Sequence, residues 1–144
     1  MRYSVLTLLL SALVSSCALA PQSSSGDIQP SDAVIAAADH PITGVFRLQV
    51  RGAGRRDRRL YLNSESDYRD QRCLTVAIPE EIAAKLAAKL GGDPAGILKG
   101  RVIRVKGEAR RVTIRLFEHD GTPMKEYYFQ THVQIEDIDQ IEVL

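Results

Sequence analysis

No tryptophan occurs among the 144 residues, aromatic side chains make up only 6% of them, and there are two cysteines, Cys17 and Cys73. Two cysteines exclude the disulfide lattice that holds small secreted scaffolds together. The three histidines, His40, His119 and His132, are single and far apart, so zinc-ligand spacing is missing. Glycine-rich phosphate loops, a nucleophile elbow and carboxylate pairs at helical spacing are missing too, so the sequence gives no ground for an enzyme and calls for no cofactor. Around Asn63, Glu65, Asp67 and Asp70 the oxygen ligands of a hard cation are present, but the spacing of a calcium loop is not. These side chains are expected to bond their own turn, and no metal is expected. Long apolar runs are lacking as well. The longest, Val5 to Val14, has ten residues and is interrupted by Thr7 and Ser11, well short of the roughly 20 needed to span a bilayer.

What is present is an ordinary globular composition, 44% apolar, in a chain long enough for one domain with a real core. The formal charge of +1 conceals a gradient. Lys99 to Arg115 holds seven cations against Glu108, and Leu116 to Leu144 holds seven carboxylates against Lys125. Side by side in a sheet these segments neutralise each other; on separate faces they leave a basic side for an anionic partner.

Arg2 and the apolar run behind it read as an export signal over residues 1–16. Val14-Ser15-Ser16-Cys17 then resembles the lipobox of bacterial lipoproteins. That resemblance implies acylation of Cys17, anchoring in a membrane through N-terminal acyl chains and, with Ala18 at the next position, an outer-membrane lipoprotein facing the periplasm. Cleavage after Ala18-Leu19-Ala20 is the alternative and would leave a soluble secreted or periplasmic protein. Either way Cys73 is the one free thiol left, expected to be a small buried residue. Residues 17–42, rich in Pro and Ser and including Gly26, read as a flexible tether, with at most a docked turn of helix at Ser31 to Ala38.

The body, residues 43–144, alternates apolar and polar positions. Val45, Phe46, Leu48 and Val50 mark a first strand, and Gly52-Ala53-Gly54 a turn leading into a basic hairpin. Leu60 and Leu62 mark a second strand; Leu74, Val76 and Ile78 a third, beyond a polar corner. Pro79 to Leu90 reads as the one clear helix, with Glu80 and Glu81 at its positive end, Ile82, Leu86 and Leu90 on one stripe and Gly91 as its left-handed cap. Strand character returns at Arg101 to Gly107, where glycine permits a bend, and continues from Arg111 to Phe117. A hairpin at His119 to Pro123 leads to a strand beginning at Tyr127 and to an acidic end.

Three strands, a helix and two further strands form the order of the OB-fold, a Greek-key barrel. LYLNSESDYRDQRCLTV, LKGRVIRVKGEAR, YYFQTHV and DIDQI resemble small, mostly uncharacterised OB-like domains of exported bacterial proteins. The resemblance covers Gly44 to Leu144 and implies an all-β fold with one helix, five or six strands in a barrel, and the helix between strands three and four. OB barrels carry nucleic acids, sugars and proteins alike, so it names no ligand. Arg51, Arg55, Arg56, Arg58 and Arg59, with Arg101 and Arg104, are the candidate anion or partner site. Tyr61, Tyr68, Tyr127 and Tyr128 are candidate stacking residues, with Tyr127 and Tyr128 necessarily on opposite faces of their strand. The reading is a non-catalytic binding domain for an envelope protein, glycan or anionic polymer. Its rivals are a binder of single-stranded nucleic acid and a secreted nuclease-like enzyme.

Overall fold

The computed structural model describes residues 26–144. The expected export signal, Cys17 and the expected tether as far as residue 25 therefore lie outside the described residues. Within them the protein is mostly β, with elements α1 (Pro30–Ala36), β1 (Ile42–Gln49), β2 (Gly52–Arg56), β3 (Arg59–Asn63), β4 (Leu74–Pro79), α2 (Glu80–Leu90), α3 (Pro94–Leu98), β5 (Val102–Phe117), β6 (Pro123–Gln134), a 3-10 turn (Ile138–Gln140) and β7 (Ile141–Val143). The strands form one mixed sheet in the order β1-β5-β6-β4-β3-β2, with β7 added beside β5. Only β4 and β6 run parallel.

Two features correct the strand count. The segment expected as a turn, Gly52 to Arg56, is a strand of its own beyond Val50-Arg51, where the backbone changes partner: Val50 N–H donates to the Arg101 carbonyl, and Arg51 N–H donates to that of Asn63. The acidic C-terminus contributes β7, so the strands number seven rather than five or six. Nor is the sheet a barrel closed by ladder hydrogen bonds. Its terminal strands β1 and β2 do not pair with each other; they meet through the bent chain at residues 50 and 51.

Period-two alternation puts Leu60 and Leu62, then Leu74, Val76 and Ile78, inside the core, with Phe46, Ile103 and Val133 from the other strands. Ile82, Ala83 and Leu86 of α2 complete one end of this core, and Gly91 closes the helix at φ 77°, as its sequence predicts. Burying a leucine such as Leu86 contributes about 2 kcal/mol. The chain before Thr43 departs from a free tether. Ile28 bridges Phe46, Asp27 pairs with Arg104 at 2.9 Å, and Ala33 and Ala37 lie in the core, so the folded body begins at least as early as residue 27. The apolar spacing of Ala33 and Ala37 gives α1 the buried face that offsets its short length.

Three glycines also act differently from expectation. Gly52 and Gly54 are strand residues of β2, and the tight turn lies at Asp57 and Arg58, with φ of 50° and 59°. Two residues with positive φ are what a two-residue hairpin needs to match strand twist. Gly107 makes no break in the 16-residue β5. A Cβ there would lie 3.0 Å from Val133 Cγ1 and 3.2 Å from Gln140 Nε2, so glycine lets these side chains pack closely against the strand.

Candidate functional site

Beyond Ala109, β5 has left its partner β1, and before Thr131, β6 has not yet met β4. Arg110 to Phe117 and Pro123 to Gln130 therefore project as a two-stranded ribbon. The β2–β3 hairpin rises opposite, and between them runs a groove of about 440 Å³. Its floor comes from outward positions of the sheet. Asn63, Thr75 and His132 are register partners across β3, β4 and β6, so they form one polar row on the face away from the core. Gly54 stands opposite Tyr61 and also faces the groove, where a Cβ would meet nothing within 4 Å. Absence of side chains along that part of β2 keeps the channel open.

Tyr61, Tyr68 and Tyr128 line the groove. Arg55, Arg56 and Arg115 border it beside the carboxylate of Asp57, but only Arg56 shares the strand face of Gly54 and Tyr61; Arg55 reaches to Asp93, and Arg115 is the register partner of Tyr127. Each cation is loosely held. Arg55 pairs with Asp93 at 2.7 Å and lowers the pKa of that carboxyl; Arg56 meets Asp57 at 3.4 Å. Ion pairs so exposed contribute about 0–1 kcal/mol, so an arriving anion competes with them easily.

Hydrogen bonds organise the floor. Thr75 Oγ1 donates to Asn63 Oδ1 at 2.9 Å. The Gln130 amide nitrogen donates to the Tyr68 carbonyl at 3.2 Å and to Tyr128 Oη at 3.0 Å, while its oxygen lies 2.7 Å from His132 Nε2. Burial, and after it the positive charge of Arg59, lowers the His132 pKa to about 4. Tyr128 moves upward, chiefly through burial. Both groups are therefore neutral at physiological pH, and the floor is uncharged beneath a cationic rim.

No protein-family model matches the chain. Neither does any curated protein. Among solved structures the chain is similar to an aspartyl tRNA synthetase from Entamoeba histolytica, with a TM-score of 0.44 and 13% identity over 99% of this chain and 28% of that one. The chain thus spans less than a third of that protein's length.

Of the residues the sequence offered, the fold gathers Arg55, Arg56, Tyr61, Tyr68 and Tyr128. It disperses the others. Arg51 binds Glu65, Arg58 binds Glu80, Arg59 donates to Gln134, and Arg104 is held between Asp27 and Glu142. Arg101 is exposed in the connector ahead of β5, outside the groove. Tyr127 turns to the opposite ribbon face, 59% exposed and edge-on to Phe129 at 5.5 Å. The acidic corner bonds its own turn: Asp67 accepts from Arg69 and Asp70 from Arg72, which lowers both carboxyl pKa values, Asp70 to about 2. Cys73 is buried, as expected.

Arg115, Thr75, Gln130 and His132 join the site without having been singled out for it. For the last two a signal existed, since Tyr128, Gln130 and His132 alternate along one face of a strand.

Proposed function

We propose that the protein is a non-catalytic binding domain of OB type and that its groove holds a single strand of nucleic acid. The OB reading is supported by the helix following β4, by the parallel β4–β6 pair, and by sheet ends β1 and β2 that are consecutive in the chain. The ligand reading rests on one observation: three tyrosines and Arg56, with Arg55 and Arg115 at the margin, surround one glycine-opened groove whose floor is uncharged. Tyrosine rings stack on bases of any sequence, and the rim guanidinium groups meet the phosphates.

The test is a titration with a fluorescent twelve-residue oligothymidylate at 50 and 200 mM salt. Two or three phosphate contacts weaken binding about tenfold between those conditions. Tyr68→Ala, at an exposed ring, should cost a further tenfold or so. Absence of binding at 50 mM salt would sink the reading.

A second reading, an anionic glycan or other envelope polymer with rings and charges, is favoured by the lipobox resemblance at Val14 to Cys17. An exported chain held at a membrane by Cys17 meets such polymers first. In the same titration it expects an acidic polysaccharide to bind and to displace the oligonucleotide.

A further inference from the structure

The hydrogen bonds of Gln130 decide more than the shape of the floor. A backbone carbonyl only accepts, so the contact with the Tyr68 oxygen fixes which end of the Gln130 amide is nitrogen. Its oxygen therefore points at His132, and His132 Nε2 must carry the hydrogen that fills the 2.7 Å contact. A neutral imidazole holds one such hydrogen, which leaves Nδ1 as a bare acceptor. Among the described residues no side chain or backbone group hydrogen-bonds Nδ1, yet no unpartnered polar side-chain atom there is sealed from solvent. The small part of His132 left open, 7%, lies in a groove it helps to line, beside the Tyr61 ring at 6.0 Å between centroids.

We infer that His132 is a specificity residue whose Nδ1 accepts a hydrogen bond from a donor on the edge of a nucleobase lying against Tyr61. This rests on the nucleic-acid reading and goes beyond it. Stacking and phosphate contacts tolerate any base, whereas a fixed acceptor on the floor requires an N–H group at one position. Phosphate oxygens offer no donor there, so the floor takes bases and the rim takes the backbone. The low pKa that burial imposes keeps the acceptor lone pair free at physiological pH.

Oligothymidylate suits the test because each thymine has a single edge donor, N3–H. Binding of the twelve-residue strand is compared with that of the same strand built from N3-methylthymidine, for the parent protein and for His132→Phe. The parent should prefer the unmethylated strand about tenfold or more, the penalty for a polar group left without its partner. In His132→Phe that preference should fall to near one. Equal affinities in the parent would overturn the inference alone, and so would a preference that survives in His132→Phe, since methyl bulk rather than the acceptor would then discriminate. If neither strand binds the parent, the inference falls together with the function it rests on. Should His132→Phe fail to fold, nitrogen-15 spectra of the parent decide: Nδ1 should show an unprotonated resonance that shifts with the thymine strand and not with the methylated one. A resonance that stays put with both strands overturns the assignment.

Discussion

His132 shows how much a single residue owes to its neighbours. A histidine held neutral by its fold binds fewer protons than the unfolded chain between the folded pKa of about 4 and the ordinary 6.5. Stability is therefore at its full value above pH 6.5 and falls as pH drops toward 4, below which this group removes nothing further. The interval corresponds to on the order of 3 kcal/mol. Urea unfolding at pH 7 and pH 4.5 should show a loss of this size and sign, and His132→Gln should flatten the difference; an unchanged profile would place the pH dependence elsewhere. In the sequence His132 is one of three isolated histidines, and isolation correctly argues against zinc. Its position became meaningful only through Gln130 two residues earlier and Thr75 on the adjacent parallel strand, a juxtaposition that strand alternation suggests and register alone decides.

Among elements, the paired hairpins that wall the groove carry the main lesson. Alternation located β1, β3, β4, β5 and β6 but not β2 or β7, and capping chemistry located α2 but not α3, because the first set rest on local properties of a few residues. Turn position was less legible. Gly52-Ala53-Gly54 has the composition of a turn, but the chain instead turns at Asp57-Arg58, leaving Gly54 as a bare strand position facing the ligand channel and Gly52 packed close to the Glu65 carbonyl. Gly54→Phe makes this testable. An added Cβ meets nothing, so the fold should lose less than about 1 kcal/mol and could gain from β-propensity. Oligonucleotide binding should nevertheless fall at least tenfold, because the ring occupies the channel. Thermal unfolding and the titration together check it; unaltered affinity would move the ligand off this groove.

The basic residues of the intact molecule look like one site in a list and are several in space. Seven arginines stood out in the sequence, and the fold sends five of them to structural partners or outlying positions: Arg51, Arg58 and Arg101 lie in a bend, a turn and a connector, and Arg59 and Arg104 on separate strands. Charge composition alone has no means of expressing that division. The N-terminal region was only partly legible for a related reason: its proline, serine and glycine content suits a tether, whereas Ala33, Ala37 and Ile28 find a place in the core through contacts distant in sequence. We propose that what precedes this packed region anchors the protein at a membrane through acylated Cys17. Cell fractionation of Cys17→Ser should find the protein released from the membrane fraction, and a variant as firmly bound as the parent would refute acyl anchoring.

The bend at Val50-Arg51 also governs when the molecule can be finished. Upstream of it, β1 must wait for partners between Val102 and Ala109, more than fifty residues later in the chain, and β4 waits for residues as late as Gln134. During synthesis the first strand therefore has no sheet to join until most of the polypeptide exists. Such distant pairings place folding toward the slow, milliseconds-to-seconds end of the range for small domains. An emerging chain of this design stays unfinished for its first hundred residues, with the apolar face of its earliest strand unpaired throughout that interval.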